Sequence, residues 1–287
     1  MKKFIQEIIT FYKNPTDTRS ENLSIKNNIK YIFYTFVLNI IVSLPIILTL
    51  IYLVDYDSLP KDTERIDYNS NTIWLTTLSI VILVPLFEEI IFRLPIRYNK
   101  LYSFLFTRKT WTYIFKILVY LLPIVFALVH LTNHGEINRK LLLYSPILIG
   151  SQLISGYFYT FLRVRFNFIS ALICHALWNL LSTFIPFLIG VYEKPYEKKT
   201  TDIDLYIKYY EFNDLQKQKI SIDSSGGKIY KIESKQFSIN HIVDTIANEK
   251  RNDIDFIIDL KFESKKGVSK EEFKKLINEY DDFNNKP

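Results

Sequence analysis

The sequence predicts an all-α polytopic membrane helix bundle of about five spans, followed by a small soluble α+β domain. Apolar residues are concentrated in residues 28–192, in stretches long enough to cross a bilayer. Alternation with the period of a strand begins only after residue 200. Glu88 and Glu89 lie side by side in an apolar stretch, where a charge costs roughly 3 kcal/mol or more. Such residues indicate a functional site by default.

The N-terminal segment, residues 1–27, contains apolar residues at helical spacing among charged ones. They are Phe4, Ile5, Ile8, Ile9 and Tyr12. The pattern predicts an amphipathic helix lying at the membrane interface. A disordered basic N-terminus is the alternative, and the pattern alone does not decide between the two.

Five segments of residues 28–192 have the length and composition of membrane spans. They are 31–54, 73–96, 112–132, 141–162 and 167–191. The sequence therefore predicts an integral membrane protein. Cys174, the only cysteine, lies within the last of these segments and is expected to be a small core residue.

The distribution of charge predicts the orientation of the bundle. Six basic residues precede the first span and the following loop, 55–72, is acidic on balance, so the N-terminus is expected in the cytoplasm and five spans would leave the C-terminus outside. The basic surplus of the chain belongs to residues 1–192, where it suits anionic membrane lipids rather than nucleic acid. The abundance of Lys, Ile and Asn is typical of an AT-rich bacterium, which predicts a bacterial inner membrane.

Residues 193–287 form the predicted soluble α+β domain. Leu205, Ile207 and Tyr209 alternate, and so do Ile254, Phe256, Ile258, Leu260 and Phe262, which is the period of half-buried strands. Ser238 precedes an apolar helical pattern, Ser269 and Glu272 form a possible capping box, and Gly226-Gly227 predicts a turn. No cluster of side chains suggests chemistry here, and His241 is expected on the surface. By elimination, the domain is expected to have a binding or regulatory role, with an unidentified protein as its partner.

Three short patterns carry chemistry in three different predicted spans. They are Glu88-Glu89-x-x-x-Arg93, Phe126-x-x-x-His130 and His175-x-x-x-Asn179. Glu89 and Arg93 share one helix face, from which Glu88 is rotated by about 100°, and the spacing of His175 and Asn179 points both side chains in the same direction. Two acids, two imidazoles and a carboxamide suffice for a site that activates water. Taken singly, the acids could line an ion path, a histidine could be a packed hydrogen-bonded group and the asparagine could join two helices.

These patterns together resemble the CAAX protease and bacteriocin-processing (CPBP) family of intramembrane proteases. That family includes the type II CAAX prenyl endopeptidases and the abortive-infection proteins, and is usually described as metalloproteases. The resemblance covers about residues 73–191, which it implies are a four-helix catalytic core. All three motifs of the family are complete. Leu94 is one departure, because many members have glycine after the arginine.

The resemblance implies a role for each motif residue. Glu88 would be the general base that deprotonates water, with His130 helping to hold that water. His175 and Asn179 would stabilise the oxyanion of the intermediate, while Glu89, Arg93 and Phe126 would support the site.

A metal is one option for the mechanism. Glu88, His130 and His175 could hold Zn²⁺ in an open site. The soluble spacing HExxH is absent, and a metal-free water activated by glutamate explains the same residues equally well.

The preferred function is an intramembrane endopeptidase acting on a peptide or membrane-protein substrate. The alternative is a non-proteolytic immunity or scaffold protein of the same family, in which the polar cluster serves binding. A transporter that uses Glu88 as a proton carrier is a more distant third.

Overall fold

The structure is a computed structural model that describes residues 1–53, 73–134, 137–191, 194–210, 218–247 and 257–284. The predicted acidic loop 55–72 lies outside the described residues. Contacts divide the chain into two compact units, the first formed by Met1–Arg65 with Leu78–Ser182, the second by Ile66–Thr77 with Thr183–Pro287.

Helices dominate the first 191 residues. In chain order they are α1 Lys2–Lys13, α2 Ile25–Leu53, α3 Ile73–Thr77, α4 Val84–Phe92, α5 Lys100–Leu105, α6 Arg108–Val129, α7 Arg139–Leu148, α8 Gly150–Arg165 and α9 Phe168–Val191. A π-helical segment, Leu78–Leu83, leads into α4, and 3₁₀ turns follow α4 at Leu94–Ile96 and α6 at His130–His134.

Three of these helices are long and apolar enough to cross a membrane, within the part of the chain that the structure describes. They are Ile25–Leu50, Arg108–Asn133 and Phe168–Ile185. The pair α7 and α8 forms a fourth candidate span, bent by 44° at the break between the two helices. The chain is therefore an integral membrane protein with three or four candidate spans.

The predicted span 73–96 is not among these candidates. The structure divides it into α3, the π-helical segment, α4 and a 3₁₀ turn. Pro85 stands at the start of α4, where its missing N–H removes a bond to the preceding turn. Five continuous spans are thus not confirmed, since the π-helical residues Leu78–Leu83 interrupt this segment just before the helix that carries Glu88 and Glu89.

The N-terminal segment folds as a helix, as one of the two sequence-based alternatives predicts. Phe4, Ile8 and Phe11 of α1 are buried in the core of the first unit. Glu7 accepts a hydrogen bond from the Tyr31 hydroxyl and pairs with Arg165 at 3.3 Å. These contacts attach one face of α1 to the bundle.

A buried polar row runs along α2. Thr35, Asn39 and Ser43 recur every four residues and are fully buried. The amide of Asn39 donates to the Ser155 hydroxyl of α8 at 2.9 Å. The row therefore joins the first span to α8 by hydrogen bonds that lipid cannot offer.

The C-terminal region contains a five-stranded sheet. Its strands are β1 Tyr196–Lys199, β2 Ile203–Tyr210, β3 Lys219–Ser225, β4 Lys228–Ser238 and β5 Ile257–Ser269. The order is β1-β2-β5-β4-β3, and all neighbouring strands are antiparallel. Leu205 lies opposite Phe262 in this register, and both are buried in the core. Ile254 and Phe256, which the predicted alternation included, lie outside the described residues.

Two helices, α10 Ile239–Ala247 and α11 Lys270–Asn284, supply the rest of that core. The predicted capping box is confirmed, and Ser238 also caps the helix that follows it. The Ser238 hydroxyl accepts from the His241 N–H at 3.0 Å, while Ser269 and Glu272 bond reciprocally at 2.7 and 3.2 Å. Gly226 and Gly227 form the predicted turn with φ of 58° and 77°, and His241 is exposed as expected.

Candidate active site

The short helix α4 carries the two adjacent acids. Successive residues of a helix are rotated by about 100°, so Glu88 and Glu89 face different surroundings. The Glu89 carboxylate is fully buried, whereas 22% of the Glu88 side chain is exposed. The two acids can therefore have different functions.

Two imidazoles from different helices face Glu88. His175 Nε2 lies 3.3 Å from Glu88 Oε2, and His130 Nε2 lies 3.8 Å from Glu88 Oε1. His175 also turns its other nitrogen, Nδ1, towards Glu89 Oε1 at 3.0 Å. His175 thus lies between the two acids, with one ring nitrogen for each.

Glu89 has a second partner in Arg93, one helical turn later. Arg93 Nη1 lies 3.5 Å from Glu89 Oε1, and both side chains are almost completely buried. The Arg93 guanidinium lies over the ring of Phe126 at 4.0 Å. A buried cation against an aromatic face is stabilised by the ring quadrupole. The predicted Glu89–Arg93 ion pair therefore forms in a cage that is partly aromatic.

Phe126 lies in the last turn of α6, and His130 begins the 3₁₀ turn that follows that helix. His130 Nδ1 lies 2.8 Å from the Phe126 carbonyl oxygen, which only accepts, so Nδ1 carries the hydrogen. The second nitrogen, Nε2, is consequently directed to Glu88. The Phe126 ring meets both imidazoles edge-on, at 4.8 Å for His130 and 5.8 Å for His175. The four-residue spacing of the motif therefore places the Phe126 ring against both imidazoles and directs His130 Nε2 to Glu88.

Asn179 lies one turn after His175 and contacts a different group. Its Nδ2 donates to the Ile80 carbonyl at 3.0 Å, in the π-helical segment. In a π-helix that carbonyl would accept from the residue five positions later, which is Pro85 and has no N–H. Asn179 supplies the missing donor. One amide nitrogen carries two hydrogens, so a second one stays available.

The structure thus brings together Glu88, Glu89, Arg93, Phe126, His130 and His175. Leu94, the departure from the family pattern, lies in the 3₁₀ turn with its side chain 46% exposed, so it does not crowd these groups.

The contribution of α8 to the site was not predicted from the sequence. The Tyr159 ring stacks on His175 at 4.7 Å, and a Cβ on Gly156 would lie 3.3 Å from Arg93 Nη2. Arg163 donates from Nε to the Arg93 carbonyl at 2.9 Å. The available signal was a glycine in a predicted span with a tyrosine three positions later, on the same helix face.

The two histidines meet one requirement of a metal site. Both histidines hold Nδ1 on an oxygen and direct Nε2 to Glu88, as metal-binding histidines do. Among the residues that the structure describes, however, no group of three or more His, Cys, Asp or Glu side chains could hold a metal ion. The donor set does not fit a metal site as arranged here, and we derive no step through a metal.

Comparison with family models gives one match, to type II CAAX prenyl endopeptidase Rce1-like, over residues 70–181. The matched segment contains all three motifs. A comparison with curated proteins found no match, and a comparison with solved structures found none either. Residues 70–181 therefore match the model of the type II CAAX prenyl endopeptidase Rce1-like family, which agrees with the resemblance of this chain to the CPBP family.

Proposed function

We propose that this protein is an intramembrane endopeptidase that hydrolyses a peptide bond in a membrane-associated protein or peptide. One observation carries the proposal. The Glu88 carboxylate is partly exposed and lies within 3.3 and 3.8 Å of two imidazole nitrogens from two other helices. A carboxylate in that position can take a proton from a water molecule held beside it.

Glu88 is the proposed general base. A water molecule that bonds to both Glu88 Oε1 and His130 Nε2 would be held against the substrate carbonyl. After attack by that water, Glu88 would hold the proton and pass it to the leaving amine, as general acid–base catalysis requires. The 3.8 Å separation of the two atoms allows one water to contact both.

His175 and Asn179 are the proposed stabilisers of the oxyanion, with His175 donating from Nε2, which a Glu88 protonated by the attacking water would release. The amide of Asn179 keeps a hydrogen beyond the one given to Ile80. Preorganised donors of this kind contribute about 3–4 kcal/mol each in acyl transfer. Glu89 and Arg93 would hold His175 from its other side without contacting the substrate.

The test compares wild type with Glu88→Gln in liposomes, against short peptides with and without a prenyl group, using mass spectrometry. We expect wild type to cleave and Glu88→Gln to lose cleavage by 100-fold or more, on the order of a general base's contribution. Glu7→Gln is the matched control, because it makes the same change at an ion pair on α1. Equal cleavage by wild type and Glu88→Gln would contradict the role of Glu88.

The same assay addresses the substrate and the metal. Cleavage of prenylated peptides alone would assign the specificity that the matched family is named for. Loss of cleavage with a chelator, recovered by Zn²⁺, would support the metal option, and unchanged cleavage would support a water activated by Glu88 alone.

The alternative, an immunity or scaffold protein, is favoured by the C-terminal domain. That domain lies outside the matched segment and presents charged cross-strand neighbours, such as Lys231 with Glu263 at 2.8 Å. We propose that it binds a protein partner. A scaffold should keep its cellular function in Glu88→Gln and His175→Ala and lose it when residues 193–287 are removed. A protease should show the reverse.

A further inference from the structure

Tyr159 is in close contact with the site but belongs to none of the three motifs. Its ring and the His175 imidazole stack with centroids 4.7 Å apart and planes 20° apart. Both residues are buried, with 0% of Tyr159 and 3% of His175 exposed. Tyr159 therefore contacts the face of an imidazole whose edge meets both acids.

The orientation of the His175 ring decides whether it can serve both acids. Nδ1 and Nε2 lie in the ring plane, and each must point to its own carboxylate, at 3.0 Å for Glu89 and 3.3 Å for Glu88. The last torsion of a histidine side chain is broad, so the side chain does not set this plane by itself. Rotation of the ring would weaken both contacts together.

Two aromatic rings limit that rotation. Tyr159 covers one face of the imidazole in a nearly parallel arrangement, and Phe126 meets it nearly perpendicularly, at 88° and 5.8 Å. A parallel ring at this distance leaves no room for the imidazole to turn towards it. Packing thus sets the plane of the His175 ring, and its two nitrogens point to the two carboxylates without further rotation.

Neighbouring residues of α8 hold Tyr159 in place. Gly156, one turn earlier, lets the helix approach Arg93 and Phe126, because a Cβ there would come within 3.3 Å of Arg93 Nη2 and 3.2 Å of the Phe126 ring. Arg163, one turn later, bonds to the Arg93 carbonyl at 2.9 Å. The helix is therefore fixed against α4 and α6 on both sides of Tyr159.

We propose that Tyr159 is a positioning residue of the active site, whose ring holds the His175 imidazole in the plane that serves Glu88 and Glu89 together. The expected effect of Tyr159 on catalysis rests on the proposed function. Its expected effect on the orientation of His175 rests on the stacking geometry alone. Only the ring face is needed. Tyr159→Phe keeps that face, and Tyr159→Leu removes it.

The test measures two properties of wild type, Tyr159→Phe and Tyr159→Leu. The first is the ¹H shift of the His175 ring in full-length protein labelled at histidine, assigned with His175→Ala. A stacked aromatic ring moves this signal upfield, and we expect Tyr159→Phe to retain that shift and Tyr159→Leu to lose it.

The second property is the rate of peptide cleavage. We expect kcat to fall about 10- to 100-fold in Tyr159→Leu, because small displacements of a catalytic group cost rate factors of this size. KM should be unchanged because the buried Tyr159 does not reach a substrate.

Phe161→Leu is the matched control. Phe161 lies on the same helix and is equally buried, but it packs against Phe4 and Phe11 of α1. It should keep both the His175 signal and kcat, even if it lowers stability as much as Tyr159→Leu. A fall in kcat of equal size in both leucine variants would overturn the proposal.

The two readouts separate this proposal from the proposed function. If wild type cleaves no peptide but Tyr159→Leu still moves the His175 signal, the protease fails and the positioning role stands. If the His175 signal is the same in wild type and Tyr159→Leu, the positioning role is overturned, whether or not the protein cleaves peptides.

Discussion

Glu89 has the two partners that a buried carboxylate needs. Arg93 Nη1 at 3.5 Å and His175 Nδ1 at 3.0 Å both contact the Oε1 atom of this carboxylate. Charges taken out of water are tolerated when they are paired and hydrogen-bonded, and removing one partner leaves an uncompensated charge. The sequence suggested this pair from the four-residue spacing alone, whereas the third member, His175, comes from a helix about 80 residues further on.

Removal of Arg93 should therefore destabilise the protein strongly. We expect Arg93→Leu to lower the free energy of unfolding by about 3–5 kcal/mol, because Glu89 stays buried with a reduced set of partners. Denaturant unfolding in detergent, followed by Trp fluorescence, measures the change.

The double variant Glu89→Gln/Arg93→Leu is the control for this prediction. Without the carboxylate there is no unpaired charge, so the double variant should recover much of the stability lost in Arg93→Leu. If the single and double variants unfold at the same denaturant concentration, the loss would be one of packing and not of charge.

At the scale of elements, hydrophobic length and period predicted the long helices α2, α6 and α9 and the strands β2 and β5. The polar motifs were recognisable because charged residues are rare within spans. The interruption at Leu78–Leu83 was not predicted, because hydropathy does not register a change in hydrogen-bond pattern. The Asn179 amide replaces the backbone donor that the Ile80 carbonyl lacks in this segment. That bond joins distant segments of the chain, so local helix propensity does not predict it.

The caps of the C-terminal helices show the opposite case, since their bonds join residues three apart. Four neighbouring positions suffice to predict the Ser269–Glu272 box, and the structure forms both of its bonds.

Tyr159 shows why other contacts are not predicted from the sequence. Its partner His175 is nearby in sequence, yet the stacking depends on how α8 and α9 pack.

The capping box gives helix α11 a pH dependence. The pKa of Glu272 is lowered from 4.5, first because the Ser269 backbone N–H donates to the carboxylate and then because of the bond with the Ser269 side chain. The stabilisation of α11 by this charge should be complete above pH 4.5 and lost as the pH falls through the lowered pKa. A ¹³C NMR titration of the Glu272 carboxyl in the full-length protein measures that value.

Glu272→Gln assigns the signal and removes this part of the pH dependence. Ser269→Ala should move the pKa part of the way back towards 4.5, because the backbone donor stays. A wild-type titration at or above 4.5 would show that the carboxylate does not cap the helix in solution.

At the scale of the whole molecule, charge rather than packing predicts the orientation in the membrane. Basic residues precede α2, and positive charge near span ends is retained in the cytoplasm. We expect a protease added outside sealed cells to leave an N-terminal epitope tag intact and to digest it after permeabilisation. Digestion of the tag in intact cells would reverse the predicted orientation.

Cys174 has a consequence for the molecule as a whole. It is the only cysteine of the chain, it is fully buried, and it immediately precedes His175 on α9. Alkylating reagents attack accessible thiolates, so the folded protein should resist them at its only reactive side chain of this type. The rate at which the thiol becomes labelled then reports how often α9 separates from its neighbours. The native chain thus contains an intrinsic probe of local opening, one residue from the histidine that joins the two acids.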